Sequence, residues 1–551
     1  MSEQAPKTPE VQAPKAPEAL FFDEADFEQV SDKVRGKIAL VDGVLHVSED
    51  LKANSDSRVN LTNIVGRLRK RGISEYIFHN PKNFDELYAK HAFRFARGDN
   101  EIQQLAIELI ARAHKAGASD VHIVDEGTYV RVKFRVLGML CEDTQMEVET
   151  GRQMISTIYT VLGQSADSVA FSAMERQDGR IVKRDYLPEG VQSVRIHSEP
   201  IECAYADHGT GTFMLLRLLY DATNAKGSLE ERLTALGFAK KQCVNMSDLT
   251  IRTGLKIISG PTGHGKTTVL KHTMEAQTTT SPELAYQSVE DPPEFEMRDV
   301  NQSKVITKQE GNYERSYRAE SYLNAIAGAM RSDSDVLMIG EIRYPEAAVA
   351  AIDAALTGQS VWATLHANNG FGIITRLESL LRSAGYRDPL DMLCDPNVLA
   401  GLEYQRLIPK LCPECKKRWR DIPESERSSY IPEAVYTRLS TVMEVEEIEG
   451  DSSHDGIYVQ DFKGCSKCFH GLKNQTVAAE VIVMDMDILG ELRMGKIPEA
   501  HRLWREKGGM TYIEHALQHV KDGLVDPVRS EVRLGVPWTF NKFFDQSGGR
   551  S

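Results

Sequence analysis

The stretch Gly260-Pro261-Thr262-Gly263-His264-Gly265-Lys266-Thr267-Thr268 follows a short apolar run, Leu255 to Ser259, and leads into a helical pattern. This is the GxxxxGK[ST] spacing in the strand, loop, helix context that a phosphate-binding loop requires. The glycines let backbone N–H groups curl round phosphate oxygens. Lys266 places a cation on the β and γ phosphates, and the Thr267 hydroxyl is placed to ligate Mg²⁺. Further along, adjacent carboxylates at Glu290 and Asp291 precede Pro292, and the apolar run Val336 to Ile339 ends in Gly340-Glu341-Ile342-Arg343. An acid at the end of a buried strand can orient an attacking water or hold Mg²⁺. A third run, Val361 to Leu365, ends at His366. A parallel α/β sheet directs such strand ends into one crevice.

A second chemistry is carried by two CxxC pairs, Cys412 with Cys415 and Cys465 with Cys468, separated by 49 residues. Two thiolates from each tight turn complete a tetrahedral Cys₄ zinc site, closed to water and structural in character. The acidic stretch between the pairs, from Glu444 through Glu446, Glu447 and Glu449 to Asp451, reads as a solvated surface excursion. Arg406, Lys410, Lys416, Lys417, Arg418 and Arg420 surround the first pair, as a docking face for an acidic loop or as a solvated one. The isolated Cys141, Cys203, Cys243 and Cys394 read as buried small residues.

The elements that must position these groups suggest several domains, because 551 residues exceed one core. Residues 1–20 repeat Ala, Pro, Lys and Glu and are expected to be a disordered or extended lead. Residues 21–95 form a small module, with strand-like runs about Asp42-Gly43. Residues 96–220 open with a helix over Glu101 to Ala116, closed by Gly117, and continue in strands at Val121 to Ile123 and Tyr129 to Val136. A polar linker is placed at 221–235, a P-loop core at 236–404, the tetracysteine module at 405–490 and a helical region at 491–551. The balance of 66 Lys+Arg against 80 Asp+Glu gives a net charge of −14. That disfavours non-specific nucleic-acid binding, so no nucleic-acid partner is expected. No membrane span or signal peptide is evident, which predicts a cytosolic chain.

The ordered segments GPTGHGKTT, SVEDP, SDVLMIGEIR and TGQSVWATLHANN resemble the Walker A, Asp-box, Walker B and His-box motifs of the secretion ATPases of type II secretion and type IV pilus assembly. ASDVHI at 118–123, RQDGRI at 176–181 and VRIHSEP at 194–200 look like signatures of that family's N-terminal domain. The resemblance implies a PAS-like N-terminal α/β domain and a RecA-like P-loop ATPase core with a Cys₄ insert. It makes Glu341 the catalytic acid, Glu290 the Asp-box acid and His366 the phosphate-sensing residue. It also implies that Arg195 and Arg217 are presented to nucleotide, and that Arg135 matches an arginine of the family's RxRxDG stretch. Lys133, Leu137, Tyr344, Gln359 and His264 depart from the usual pattern. The tetracysteine module followed by VAAEV at 477–481 resembles the assembly branch. A homohexameric cytosolic motor at the inner membrane is thereby implied. It would bind ATP, Mg²⁺ and structural Zn²⁺, act on a membrane platform protein and dock an adaptor through its N-terminal module. The alternative is a DNA-translocating or conjugation motor.

Overall fold

The computed structural model describes residues 98–541 apart from 166–169, 206–208, 221–226, 306–314 and 451–454, together with 38–41, 44–52, 65 and 76–80. The expected lead at 1–20, most of the 21–95 module and residues 221–226 of the linker lie outside the described residues. The chain divides into two compact units, residues 1–106 and 107–551. In the first, Ile38–Val41 pairs antiparallel with Val44–Ser48, which pairs parallel with Tyr76–His79. Leu45 and Val47 are buried, and the rings of His46 and His79 meet at 2.7 Å between Nδ1 and Nε2.

The second unit holds two seven-stranded sheets. The first is antiparallel, in the order Met139–Glu147, Tyr129–Val136, Ala118–Asp125, Thr210–Tyr220, Val191–Glu202, Gln177–Ile181, Gln164–Ser165. Its strands alternate buried and half-buried positions, as in Tyr129–Val136, where Val130, Val132, Phe134 and Val136 are buried. That two-residue period leaves one face for polar side chains. The preceding helix, Gly98–Lys115, is closed by Gly117 at φ +69°. Cys203, Cys243 and Cys394 are buried as expected, but Cys141 is only half-buried, because it sits on the edge strand Met139–Glu147.

The second sheet runs Asn301–Lys304, Tyr286–Glu290, Val336–Ile339, Ser360–Leu365, Gly254–Ser259, Leu399–Leu411, Leu472–Val483. All neighbours are parallel except the last pair. Its central strands are buried at every position, the mark of a sheet covered on both faces. Leu255, Ile257, Leu337, Ile339 and Val361 pack to one side with the helices Pro345–Leu356 and Gly372–Ser383. Ile258, Met338 and Trp362 pack to the other with Lys240–Ile251 and Lys266–Thr280. The helix Leu229–Leu236 enters this domain through a capping box in which Ser228 and Glu231 satisfy each other's backbone N–H, an arrangement worth about 1 kcal/mol.

Three features differ from the sequence reading. The polar linker placed at 221–235 gives way to the helix Leu229–Leu236, because Leu229 and Leu233 of its apolar face are buried in the core. The core does not end at 404, because Leu399–Leu411 crosses that position and pairs with Leu472–Val483 from Gly401↔Val483 to Leu411↔Leu472. The cysteine module is therefore the excursion between two paired strands. The acidic stretch within it is solvated only in part, since Glu444 and Glu446 are exposed but Glu447 and Glu449 are half-buried. Short helices at Glu424–Tyr430, Glu433–Val442 and Val445–Glu449 pack Leu439 and Ile448 against Trp419, in one apolar cluster with Tyr512 and Trp538 of the C-terminal region. Glu449 accepts from Trp419, Arg427 and Tyr436, and Glu447 from Lys521 at 2.6 Å. Among the described residues no helix is long and apolar enough to cross a membrane.

Candidate functional site

The loop 260–265 joins the central strand Gly254–Ser259 to the helix Lys266–Thr280. Gly260 must be glycine, since a Cβ there would lie 2.4 Å from the Gln405 carbonyl oxygen. The helix starts at Gly265 in the left-handed region with no side-chain cap, so its first N–H groups face the loop cavity and suit an anion. Thr267 and Thr268 are half-buried in that first turn. Lys266 is buried and donates to the carbonyls of Gly260 at 2.8 Å and Pro261 at 3.1 Å. Burial pushes its pKa down to about 8 against the pull of Glu341, Glu294 and Glu403. A phosphate would replace two neutral carbonyls with a charge-matched acceptor.

Parallel register brings the other strand ends to the same place. Ile339 pairs with Ala363, and Ser259 with Leu365. Consequently Glu341 and His366, each just past a strand, lie 3.3 Å apart from Oε1 to Nε2. His366 Nδ1 is 3.0 Å from the Gly260 carbonyl and so carries the proton toward it. Burial holds the His366 pKa below its ordinary value, with Lys266 acting in the same sense. A neutral ring with this tautomer turns the Nε2 lone pair toward Glu341, which leaves that contact easy to open. Burial pushes the Glu341 carboxyl up, but Arg343 at 2.7 Å, with Lys266, outweighs it and holds the group ionised below the usual range. Tyr322 accepts the Glu341 N–H at 3.1 Å.

Glu290 ends the strand Tyr286–Glu290, buried beside Gly340. It accepts from Ser288 at 2.8 Å and Gln302 at 3.0 Å. Burial raises its pKa, and these two bonds oppose the rise. The crevice thus holds one ionised acid next to His366 and one more deeply buried acid.

The antiparallel sheet adds a row of arginines. Arg180 pairs in register with Arg195, Arg195 with Arg217, Arg217 with Asp120, and Asp120 with Arg135. Directly opposed residues share a face. Arg195 reaches the Asp-box loop, donating to the Pro292 carbonyl at 3.2 Å and lying 3.7 Å from Glu294. Arg217 is instead tied to Asp120 at 2.9 Å, with Arg135 at 3.9 Å from the same carboxylate. Neither Arg217 nor Arg135 is shown bonding to the phosphate loop. Arg180 escaped the sequence reading as a site residue, although the two-residue period of QDGRI placed it on the polar face, and Arg343 was read only as the arginine beside the acid. Glu403 escaped it as well, and is fully buried with neither carboxylate oxygen bonded among the described residues. Burial pushes its pKa well up, with Glu480 adding to the rise and Lys266 opposing it. A lone acid inside the apolar run Leu399-Ala400-Gly401-Leu402-Glu403-Tyr404 was the available signal.

The four cysteines converge, with Sγ separations of 3.8 Å for 412–465, 3.8 Å for 415–468 and 3.7 Å for 465–468. A tetrahedron with Zn–S bonds of about 2.3 Å has edges of about 3.8 Å, so the set fits zinc. It does not fit disulfides, which need about 2.05 Å. Among the described residues, the side chains of five of the six basic residues around the first pair, all but Lys410, have partners within the chain. Lys416 donates to the Gly523 carbonyl, Lys417 to Tyr430, Arg418 to Tyr458 and Arg406 to Tyr404. Arg420 pairs with Asp455 at 3.4 Å.

The family described as "Type II/IV secretion system protein" matches residues 96–533. Relatives include the "Type IV pilus assembly ATPase PilB" of Thermus thermophilus, 28% identical over 429 residues that make up 77% of this chain and 42% of that protein. The "Putative type II secretion system protein E" of Escherichia coli is 31% identical over 56% of this chain and 55% of its own. The "Type II secretion system ATPase E" of Vibrio cholerae is 28% identical over 79% and 74%. The chain therefore spans about half the length of the first two relatives. Among solved structures, the Legionella pneumophila ATPase DotB matches with a TM-score of 0.50 at 17% identity, over 77% of this chain and 94% of that one, a likeness of fold.

Proposed function

We propose that this chain, which belongs to the type II/IV secretion system protein family, is an ATP-hydrolysing motor for type IV pilus or type II pseudopilus assembly. The observation that carries the reading is the meeting of Lys266, Glu341 and His366 at the ends of adjacent parallel strands. The loop amides and Lys266 bind the β and γ phosphates. Glu341, kept ionised by Arg343, orients the attacking water and accepts its proton as the bond from the γ phosphorus to the bridging oxygen breaks. Thr267, with Glu290 near it, would hold Mg²⁺, which when bound would neutralise charge on the phosphate oxygens. His366 senses the γ phosphate by taking up a proton on Nε2 and exchanging its contact with Glu341 for one to a phosphate oxygen. Arg195, with Arg217 beside it, supplies positive charge from the antiparallel sheet. The four cysteines hold structural zinc.

In this reading six copies form a ring on the cytoplasmic side of the inner membrane, and relative movement of the two sheet domains is passed to a membrane platform protein. The 21–95 module docks an adaptor, and the tetracysteine module favours the assembly direction. The names of the pilus and secretion relatives support this choice over a DNA translocase. The experiment is Mg-ATP turnover by the purified chain with and without duplex DNA. Turnover indifferent to DNA is expected. Stimulation by DNA that falls steeply with salt would favour the translocase.

A further inference from the structure

The C-terminal helix Pro527–Leu534 brings Arg533 to the phosphate loop, 269 residues away in sequence. The Leu407 N–H donates to His264 Nδ1 at 2.9 Å, so Nδ1 has no proton. A neutral imidazole then carries its proton on Nε2. Burial keeps the ring neutral, its pKa pushed down to about 3, with Arg533, Arg406 and Lys266 adding to the effect. Arg533 Nη2 lies 3.4 Å from that Nε2. Both atoms are donors, so they cannot bond to each other, and their hydrogens converge.

Among the described residues the surroundings supply no acceptor of matching charge. No carboxylate among those residues acts on Arg533, and its Nε is enclosed with no hydrogen-bond partner. The groups that act on its titration, after burial, are Arg406 and Arg135, both cations. Arg406 donates to the Arg533 carbonyl at 3.0 Å, so it fixes the helix end without neutralising the guanidinium. On the far side the guanidinium packs against Gly138, where a Cβ would lie 2.5 Å from Nη2. Gly138 is the turn of the hairpin that carries Arg135, whose Nη1 donates to its carbonyl at 3.2 Å. A half-buried cation without a counter-charge is costly, and its N–H groups beside the His264 Nε2–H fit an oxyanion.

We infer that Arg533 and His264 Nε2–H together grip a phosphate oxygen of the nucleotide, making the C-terminal helix part of the nucleotide site. This rests on the reading of 260–268 as a nucleotide loop. It also gives the helix a mechanical meaning, since the same helix holds Gln460 of the cysteine module through Asp526 at 2.9 Å and Arg529 at 3.0 Å. Nucleotide occupancy would thereby be felt at the zinc module.

The test is titration of the full chain with a fluorescent ADP in the presence of Mg²⁺, with adenosine and inorganic phosphate as competitors. Arg533→Met should weaken ADP binding about tenfold, the size of a lost charged hydrogen bond, while adenosine competes equally against both proteins. Arg533→Lys should recover part of the loss, and inorganic phosphate should compete less well against Arg533→Met than against wild type. Unchanged ADP affinity in Arg533→Met, or equal weakening for ADP and adenosine, would overturn the inference and leave Arg533 a packing residue. If Arg533→Met fails to fold, the neutral Arg533→Gln takes its place under the same criteria. Failure of the wild-type chain to bind ADP would instead remove the nucleotide reading itself.

Discussion

In the sheet spanning residues 254–483 the central strands run parallel and the reactive groups collect where they end. In the sheet spanning 118–220 the strands run antiparallel and the arginines collect on a face. The parallel sheet can hold Lys266, Glu341 and His366 within one local framework, since their positions follow from adjacent strand ends. The antiparallel sheet can offer Arg180, Arg195, Arg217 and Arg135 only as a row, which acts on the crevice when the two domains are set against each other. Arg195 already touches the Asp-box loop, and Arg217 is held back by Asp120. The contrast separates groups fixed against one another by adjacent strand ends from groups whose distance to the crevice depends on the neighbouring sheet.

Replacing Lys266 by Ala should break the strand-end site most severely. The phosphate loop would lose the buried cation it carries itself, and steady-state phosphate release should fall by about three orders of magnitude or more. Retained turnover would remove the loop from the chemistry. Arg195→Ala should act more weakly, lowering kcat/KM for ATP by about tenfold, and Arg217→Ala by less, because Asp120 already occupies that guanidinium. Equal losses for both variants would contradict the different partners seen for them.

The excursion between the last two strands sharpens the comparison from another side. Cys465→Ser should abolish bound zinc, measured by atomic emission on the purified chain. It should also open residues 412–471 to protease, while ATP turnover falls by less than about tenfold. Full zinc occupancy in that variant would show that the four thiols do not form one site. The smallest effect is in pH dependence. Glu480 lies on the last strand and accepts from the N–H groups of Gly370, just past the His box, and Tyr512. Burial pushes its pKa up from 4.5 to about 7, and those two bonds oppose the rise. Between those values the folded chain holds a proton that the unfolded chain releases, so stability falls as pH rises through that window and levels off above it. Glu480→Gln should flatten this component, by about 2 kcal/mol in the difference of denaturation free energies between pH 5 and 8. An unchanged slope would show that Glu480 is not the group responsible.

The phosphate loop and the acids at 290 and 341 were legible because their chemistry is local, with each signal contained in a strand and the turn after it. His366 was legible only as part of that ordered set. The arginine row required strand register, which one chain's alternation does not supply. The meeting of His264 with Arg533 required a contact across the full length of the folded core. The boundary placed at 404 fell inside a strand, because the basic and cysteine-rich composition begins before the ladder with Leu472–Val483 ends. The acidic run around Glu447 and Glu449 looked solvated for a similar reason, since its partners Lys521, Arg427 and Trp419 lie elsewhere in the chain.

The central claim is that the ionised Glu341 beside His366 performs the hydrolytic step rather than merely shaping the loop. The most direct measurement compares nucleotide affinity and single-turnover phosphate release in wild type and Glu341→Gln. The variant should bind Mg-ATP with affinity within about threefold of wild type and release phosphate at least about a hundredfold more slowly. Phosphate release at the wild-type rate by a Glu341→Gln protein that still binds ATP would contradict the account.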